Sequence, residues 1–167
     1  TVTTLDDADT VGLVLSKSSG VVSENGSVSD NFSVVLRSEP TANVTLTLSD
    51  NDSTEVSASP TTLSFSSGNW SVAQWITLTG KDDNVSDDNQ TTLLTLTPSG
   101  GDYGSVSAQT LTVTTSDNDT VGLVLSKSSA LVSENGSVSD NFSVVLRSEP
   151  TAMVTVTLSD NDSTEVT

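Results

Sequence analysis

Thirteen acidic side chains fall within residues 10–119 of this 167-residue chain, and they are spaced unevenly. Glu24 comes early and alone. Asp50, Asp52 and Glu55 form a first group, and Asp82, Asp83, Asp87 and Asp88 a second. Asp117 and Asp119 close the stretch, while Asp30, Glu39 and Asp102 stand apart. Carboxylates at such density solvate a surface, work as an acid–base pair, or hold a hard cation. Other chemistries lack their residues. The chain has no histidine and no cysteine, which excludes Ser-His-Asp and Cys-His nucleophiles, disulfides and a conventional zinc site. Twenty-two acids against five bases give a net charge of -17, which disfavours nucleic acid and anionic membrane surfaces as partners. No apolar run approaches the ~20 residues of a membrane helix.

The elements that must position these acids are strands. Apolar residues recur every second position in Val11-Leu13-Leu15, Phe32-Val34-Leu36, Val44-Leu46-Leu48, Leu63-Phe65, Ile76-Leu78, Leu94-Leu96 and Leu111-Val113. Ser, Thr or other residues fill the alternate places, the pattern of a half-buried strand. Turn chemistry separates the runs: Glu24-Asn25-Gly26, Ser38-Glu39-Pro40, the acidic run 49–55, Ser66-Ser67-Gly68, the run 80–90, and Pro98 to Gly104. Seven strands are therefore expected, over 11–17, 28–37, 42–48, 61–66, 72–79, 91–97 and 107–115. That count predicts an all-β, immunoglobulin-like seven-stranded β-sandwich.

Successive antiparallel strands reverse direction, so alternate connections share an end of the sandwich. The connections after the first, third and fifth strands, with the end of the seventh, share one pole. Ten of the thirteen acids fall there: Glu24, Asp50, Asp52, Glu55, Asp82, Asp83, Asp87, Asp88, Asp117 and Asp119. Each close pair of like charges costs about 1 kcal/mol at ~4 Å in water and more when desolvated. Solvation alone tolerates scattered acids, but segregation at one pole favours a divalent cation. Calcium takes six to eight oxygen ligands in flexible geometry, which suits loop carboxylates and carbonyls better than the strict octahedron of magnesium. Paired carboxylates also hydrolyse glycosides. Here they lie in loops with no aromatic-lined cleft in the sequence, so no enzymatic activity is expected.

A set of motifs runs through residues 10–119 in fixed order. Val22-Ser23-Glu24-Asn25-Gly26 leads into Phe32-Ser33-Val34-Val35-Leu36, and Glu55 stands ten residues before Phe65. Ile76-Thr77-Leu78-Thr79-Gly80-Lys81-Asp82-Asp83 follows, with Asp87 beyond it, and Thr114-Thr115-Ser116-Asp117-Asn118-Asp119 closes the run. This ordering resembles the Calx-β family and its tandem relatives in large bacterial surface proteins. The resemblance implies calcium at one tip, with Glu24, Glu55, Asp82, Asp83, Asp87, Asp117 and Asp119 as ligands and Asn118 at a third terminal position. The sequence departs from the family pattern at Asn118, where the terminal triplet is otherwise acidic. It departs again at Asn89-Gln90, which follow Asp88 in place of further acids.

The stretch is also repeated. Residues 10–57 return as 120–167 with five differences: Gly20/Ala130, Val21/Leu131, Asn43/Met153, Leu46/Val156 and Ser57/Thr167. Three parts are therefore expected: 1–9, the end of a preceding module with its joint Leu5-Asp6-Asp7-Ala8-Asp9; 10–119, a complete module; and 120–167, the first three strands of the next. Near-identical tandem modules build length. The joint Ser116 to Thr120 carries Asp117 and Asp119 with no flexible linker, so an ion there would fix its angle. Function is read first as a calcium-stiffened structural repeat of a secreted or cell-surface fibre or adhesin stalk. Its partners would be neighbouring modules or subunits of the same polymer. The second reading is a β-sandwich that binds carbohydrate or protein through Trp75 or Tyr103. Alternation places Ile76 and Leu78 inward and Trp75 outward.

Overall fold

A computed structural model describes residues 9–159. The expected joint at Leu5 to Ala8 and the second-copy Glu165 lie outside these residues. The described residues divide into two compact units, one formed by 9–83 with 88–118 and one by 84–87 with 119–159.

The first unit is a two-sheet β-sandwich. Its strands are β1 (Leu13–Leu15), β2 (Ser19–Ser23), β3 (Ser29–Leu36), β4 (Val44–Asp50), β5 (Val56–Ser59), β6 (Thr62–Phe65), β7 (Gln74–Gly80), β8 (Gln90–Ser99) and β9 (Gln109–Ser116). One sheet has the order β1-β3-β7-β5 and the other β2-β9-β8-β4-β6. Alternation makes the core. Phe32, Val34, Ile76 and Leu78 face inward from the first sheet; Val44, Leu46, Leu94, Leu96, Leu111 and Val113 face them from the second, and all are buried.

Each of the seven expected strands is present, and two more join them. The run expected as a strand over 11–17 forms β1 alone, and the chain changes sheet after it. β1 pairs antiparallel with β3 (Leu13 opposite Leu36), and the chain then crosses over so that β2 pairs in parallel with β9 (Ser19 opposite Thr112). Asp30 anchors the crossover: its carboxylate takes the Lys17 ammonium and accepts the Val21 N–H at 3.2 Å. The second addition, β5, pairs with β7 (Val56 opposite Gly80). Its four residues carry too little apolar alternation to stand out from the acidic run before it.

Tyr103, offered by sequence as a surface aromatic, is fully buried. It sits in a 3-10 turn (Gly101–Ser105), and its hydroxyl accepts the Ser38 N–H at 3.1 Å and donates to the Ser38 carbonyl at 2.8 Å. A side chain so enclosed presents nothing to a ligand. Trp70 packs partly buried against the core, and Trp75 is exposed on β7, as the alternation requires.

In the second unit, β10 (Leu123–Leu125) pairs with β11 (Val144–Leu146). The third strand expected there is not formed, and residues 153–159 carry no regular structure. Val85 makes an isolated parallel bridge with Glu149 in this unit.

Candidate metal centre

Four chain segments meet at one end of the first unit because β2, β5, β7 and β9 end or begin there. β2 runs into a tight turn held by Ser23: its N–H donates to Val28 O at 3.0 Å, and its hydroxyl accepts the Val28 N–H at 2.8 Å. Gly26, at φ 69°, supplies the left-handed residue that the turn requires. The turn directs Glu24 inward. The Glu24 N–H extends the β2–β9 ladder to Ser116 O at 3.1 Å, which sets its side chain beside the residues that leave β9. The Asn118 N–H donates to Glu24 Oε2 at 3.4 Å, and one carboxylate oxygen each of Glu24 and Asp117 lie within 4.8 Å of one another.

Glu55 enters from the opposite side. Its carbonyl accepts the Lys81 N–H at 3.0 Å and the Thr115 hydroxyl at 3.3 Å, tying the start of β5 to the ends of β7 and β9. Both glutamates are almost fully buried, Glu24 at 3% and Glu55 at 6% exposure, which is unusual for ionisable groups. Asp82 and Asp83 follow Lys81 on the exposed rim. Asp88 adopts φ 66° and turns its N–H onto Asp117 Oδ2 at 3.0 Å, and Asn89 Oδ1 accepts the Asp117 N–H at 3.2 Å. Nothing in the sequence marks this support for Asp117: Asp88 stands in the acidic run as one more acid, whereas its contribution is a backbone N–H. The nearest signal was its residue type, since aspartate tolerates the left-handed region.

The electrostatics follow from this placement. Burial raises the Glu24 pKa above its ordinary value. The Asn118 N–H opposes that rise, and the negative charges of Asp117, Asp83 and Glu55 add to it. The fold thus holds a carboxylate where its ionised form is disfavoured and where three further acids are close enough to act on it. The donors are all hard oxygens, the type calcium prefers. The structure therefore brings together the carboxylates of Glu24 and Asp117 and the backbone of Asn118, with Glu55 and Asp83 near enough for their charges to act on Glu24 and Asp82 adjacent to Asp83 along the chain. Asp87 and Asp119 belong to the second unit, where the Ser86 hydroxyl donates to Asp119 O at 3.2 Å. Asp50 and Asp52 stay at the rim, and Asp52 is used locally, accepting the Thr54 N–H at 3.1 Å. Asp102 lies outside the cluster and accepts from Thr41.

No protein-family model and no curated protein matches the sequence. Among solved structures, the apo form of the Calx CBD1 domain is similar, at 19% identity and a TM-score of 0.46, over 64% of this chain and 98% of that one. CBD12 from CALX1.2 is similar at 20% identity and a TM-score of 0.48, over 64% and 44%. The Escherichia coli chaperone DraB is similar at 6% identity and a TM-score of 0.47, over 63% and 54%. This chain thus spans about half the length of the DraB and CBD12 chains. The sandwich assignment stands on the hydrogen-bonded ladders described above, independently of these likenesses.

Proposed function

We propose that this chain is a structural repeat of a secreted or cell-surface fibre or stalk, and that calcium stiffens it at the acidic pole. The observation that carries the reading is the burial of the Glu24 carboxylate within 4.8 Å of that of Asp117, with the charges of Asp83 and Glu55 also acting on it. Such a cluster costs stability when ionised, and a bound divalent cation removes that cost. Glu24, Glu55, Asp83 and Asp117 would hold the ion, with Asp82 and Asn118 as the further ligands of this unit that the family resemblance implies. Bound calcium would supply charge neutralisation and a cross-link between the ends of β2, β5, β7 and β9. The role is mechanical, and no catalysis is proposed.

Thermal unfolding with excess calcium and with chelator tests this. Calcium binds the fold and not the open chain, so the melting temperature rises, by about 2.7 kcal/mol of stabilisation at a hundred-fold excess over Kd. Asp82→Asn with Asp83→Asn removes most of the rise, whereas Asp102→Asn leaves it intact. Equal melting temperatures with calcium and with chelator would end the metal reading.

A further inference from the structure

Asn25 and Gly26, which follow Glu24, carry a chemistry of their own. Asn-Gly occurs in this chain at 25–26 and again at 135–136, and every other asparagine precedes Phe, Val, Asp, Trp or Gln. A backbone nitrogen that follows asparagine can attack its side-chain amide, and a following residue without Cβ leaves that approach open. Asn25 and Gly26 are both exposed, and a Cβ on Gly26 would meet nothing within 4 Å. Among the described residues Asn25 is held through Oδ1 and not through Nδ2, the atom that would leave.

The turn that exposes these atoms also restrains them. Asn25 Oδ1 accepts the Ser23 hydroxyl and the Ser27 N–H, each at 3.0 Å, the hold of an asparagine on the backbone two residues on. The Gly26 N–H donates to Ser23 O at 3.0 Å. To react, that nitrogen must shed its proton and the Asn25 side chain must swing its Cγ toward it. Both wait on opening of the turn. Ser23 is the latch, because its buried hydroxyl also accepts the Val28 N–H at 2.8 Å.

We propose that Asn25 is a site of spontaneous deamidation, gated by opening of the Ser23 turn, and that its isoaspartyl product loosens the turn that directs Glu24. In the open turn the Gly26 nitrogen loses its proton to solvent and forms a bond to Asn25 Cγ. The Cγ–Nδ2 bond breaks, and Nδ2 takes up a proton and leaves as ammonia, which gives a cyclic imide. Water then opens the ring. Breaking the new bond to Cγ leaves an aspartyl side chain on an unaltered backbone. Breaking the original peptide bond leaves isoaspartate, in which the backbone runs through the side chain. Nothing is oxidised or reduced, and water is the co-reactant. The aspartyl product keeps the acceptor oxygen that Ser23 and Ser27 use. Isoaspartate inserts a methylene before Gly26, so the Gly26 N–H loses its register with Ser23 O. The neighbouring Glu24 N–H depends on that register, since it extends β2 to Ser116 O at 3.1 Å. The proposal needs the turn and not the ion.

The test incubates the full chain in mildly alkaline buffer and follows each asparagine by digestion and mass spectrometry. Asn25 is expected to deamidate ahead of Asn31 and Asn43, which are also exposed but precede Phe and Val. In concentrated urea its rate is expected to rise at least about tenfold, as opening ceases to limit it. Ser23→Ala is expected to raise the rate in buffer at least about fivefold, since the hydroxyl's bonds to Asn25 and Val28 are lost. In a background carrying Asn135→Gln, chain aged until isoaspartate dominates at 25 is expected to melt below Asn25→Asp, which has the same charge and an intact backbone. A rate at Asn25 no greater than at Asn31 and Asn43 overturns the proposal. Equal rates in buffer and in urea, or no acceleration in Ser23→Ala, overturn the gating. Equal melting of the aged chain and Asn25→Asp overturns the effect on the Glu24 turn.

Discussion

Glu24 is the residue on which fold and proposed function pull in opposite directions. Its carboxylate is buried and its ionised form disfavoured, so in chelator the ionised side chain costs the fold stability. Glu24→Gln keeps the shape and removes the charge. It is expected to raise the melting temperature in chelator and to remove most of the rise that calcium gives the parent. Asp30 shows the opposite sign. The Lys17 ammonium holds its pKa below the ordinary carboxylate value, outweighing the effect of burial, and the Asn31 and Val21 N–H groups assist. Its stabilisation is therefore complete above the unfolded-state value of 3.8 and is lost as pH falls through the lower folded value. Asp30→Asn is expected to cost from a few tenths to about 1 kcal/mol at neutral pH. In acid titrations followed by thermal melts, that difference should close below pH 3.8. Glu24, Glu55, Asp83 and Asp117 were legible because acids at one pole need only correct strand directions to be grouped. Asp30 as a crossover anchor was not, because its partners Lys17 and Val21 become neighbours only when the chain changes sheet after β1.

The ends of strands hold the pole together, and one close approach there admits no side chain. A Cβ on Gly80 would stand 2.2 Å from Ser23 O and 2.6 Å from Ser23 C, both backbone atoms. Gly80→Ala must therefore push the end of β7 away from the Ser23–Glu24 turn. Overpacking of this kind costs about 1–3 kcal/mol, and a weaker calcium response is expected alongside the lower melting temperature, because Glu24 and the residues after Lys81 move apart. At the opposite pole Tyr103→Phe strips the Ser38 N–H and carbonyl of a buried partner. A cost of about 1–3 kcal/mol is expected in denaturant titration, with the calcium response unchanged. Strands β3, β4, β6, β7, β8 and β9 were readable because two or more inward apolar residues alternate in each. β5 escaped because Val56 is its one strongly apolar inward residue, and its pairing with β7 supplies what its composition does not. β2 escaped because a parallel partner ninety residues away leaves no local signature.

Across the whole molecule, the repeat provides its own control for measuring order. The five basic residues are Lys17, Arg37, Lys81, Lys127 and Arg147. Lys17 and Lys127 share the local sequence LSKSS, and Arg37 and Arg147 share VVLRSEP. Trypsin therefore meets two matched pairs of sites with the same intrinsic preference, and any difference in rate reports how readily each segment opens. In the first unit β3 bonds on both sides, to β1 and β7, over an enclosed core. In the second, β11 bonds to β10 over exposed Leu123, Leu125 and Val144. Isolated two-stranded pairs are marginal in water. Cleavage at Lys127 and Arg147 is expected to run at least about tenfold faster than at Lys17 and Arg37, which corresponds to ~1.4 kcal/mol in the equilibrium for local opening. Mass spectrometry of a time course would read this directly, with a fragment ending at Lys127 accumulating first. Equal rates within each pair would mean that residues 120–159 are as well covered in solution as 10–49, and that the open face of the second unit does not persist there.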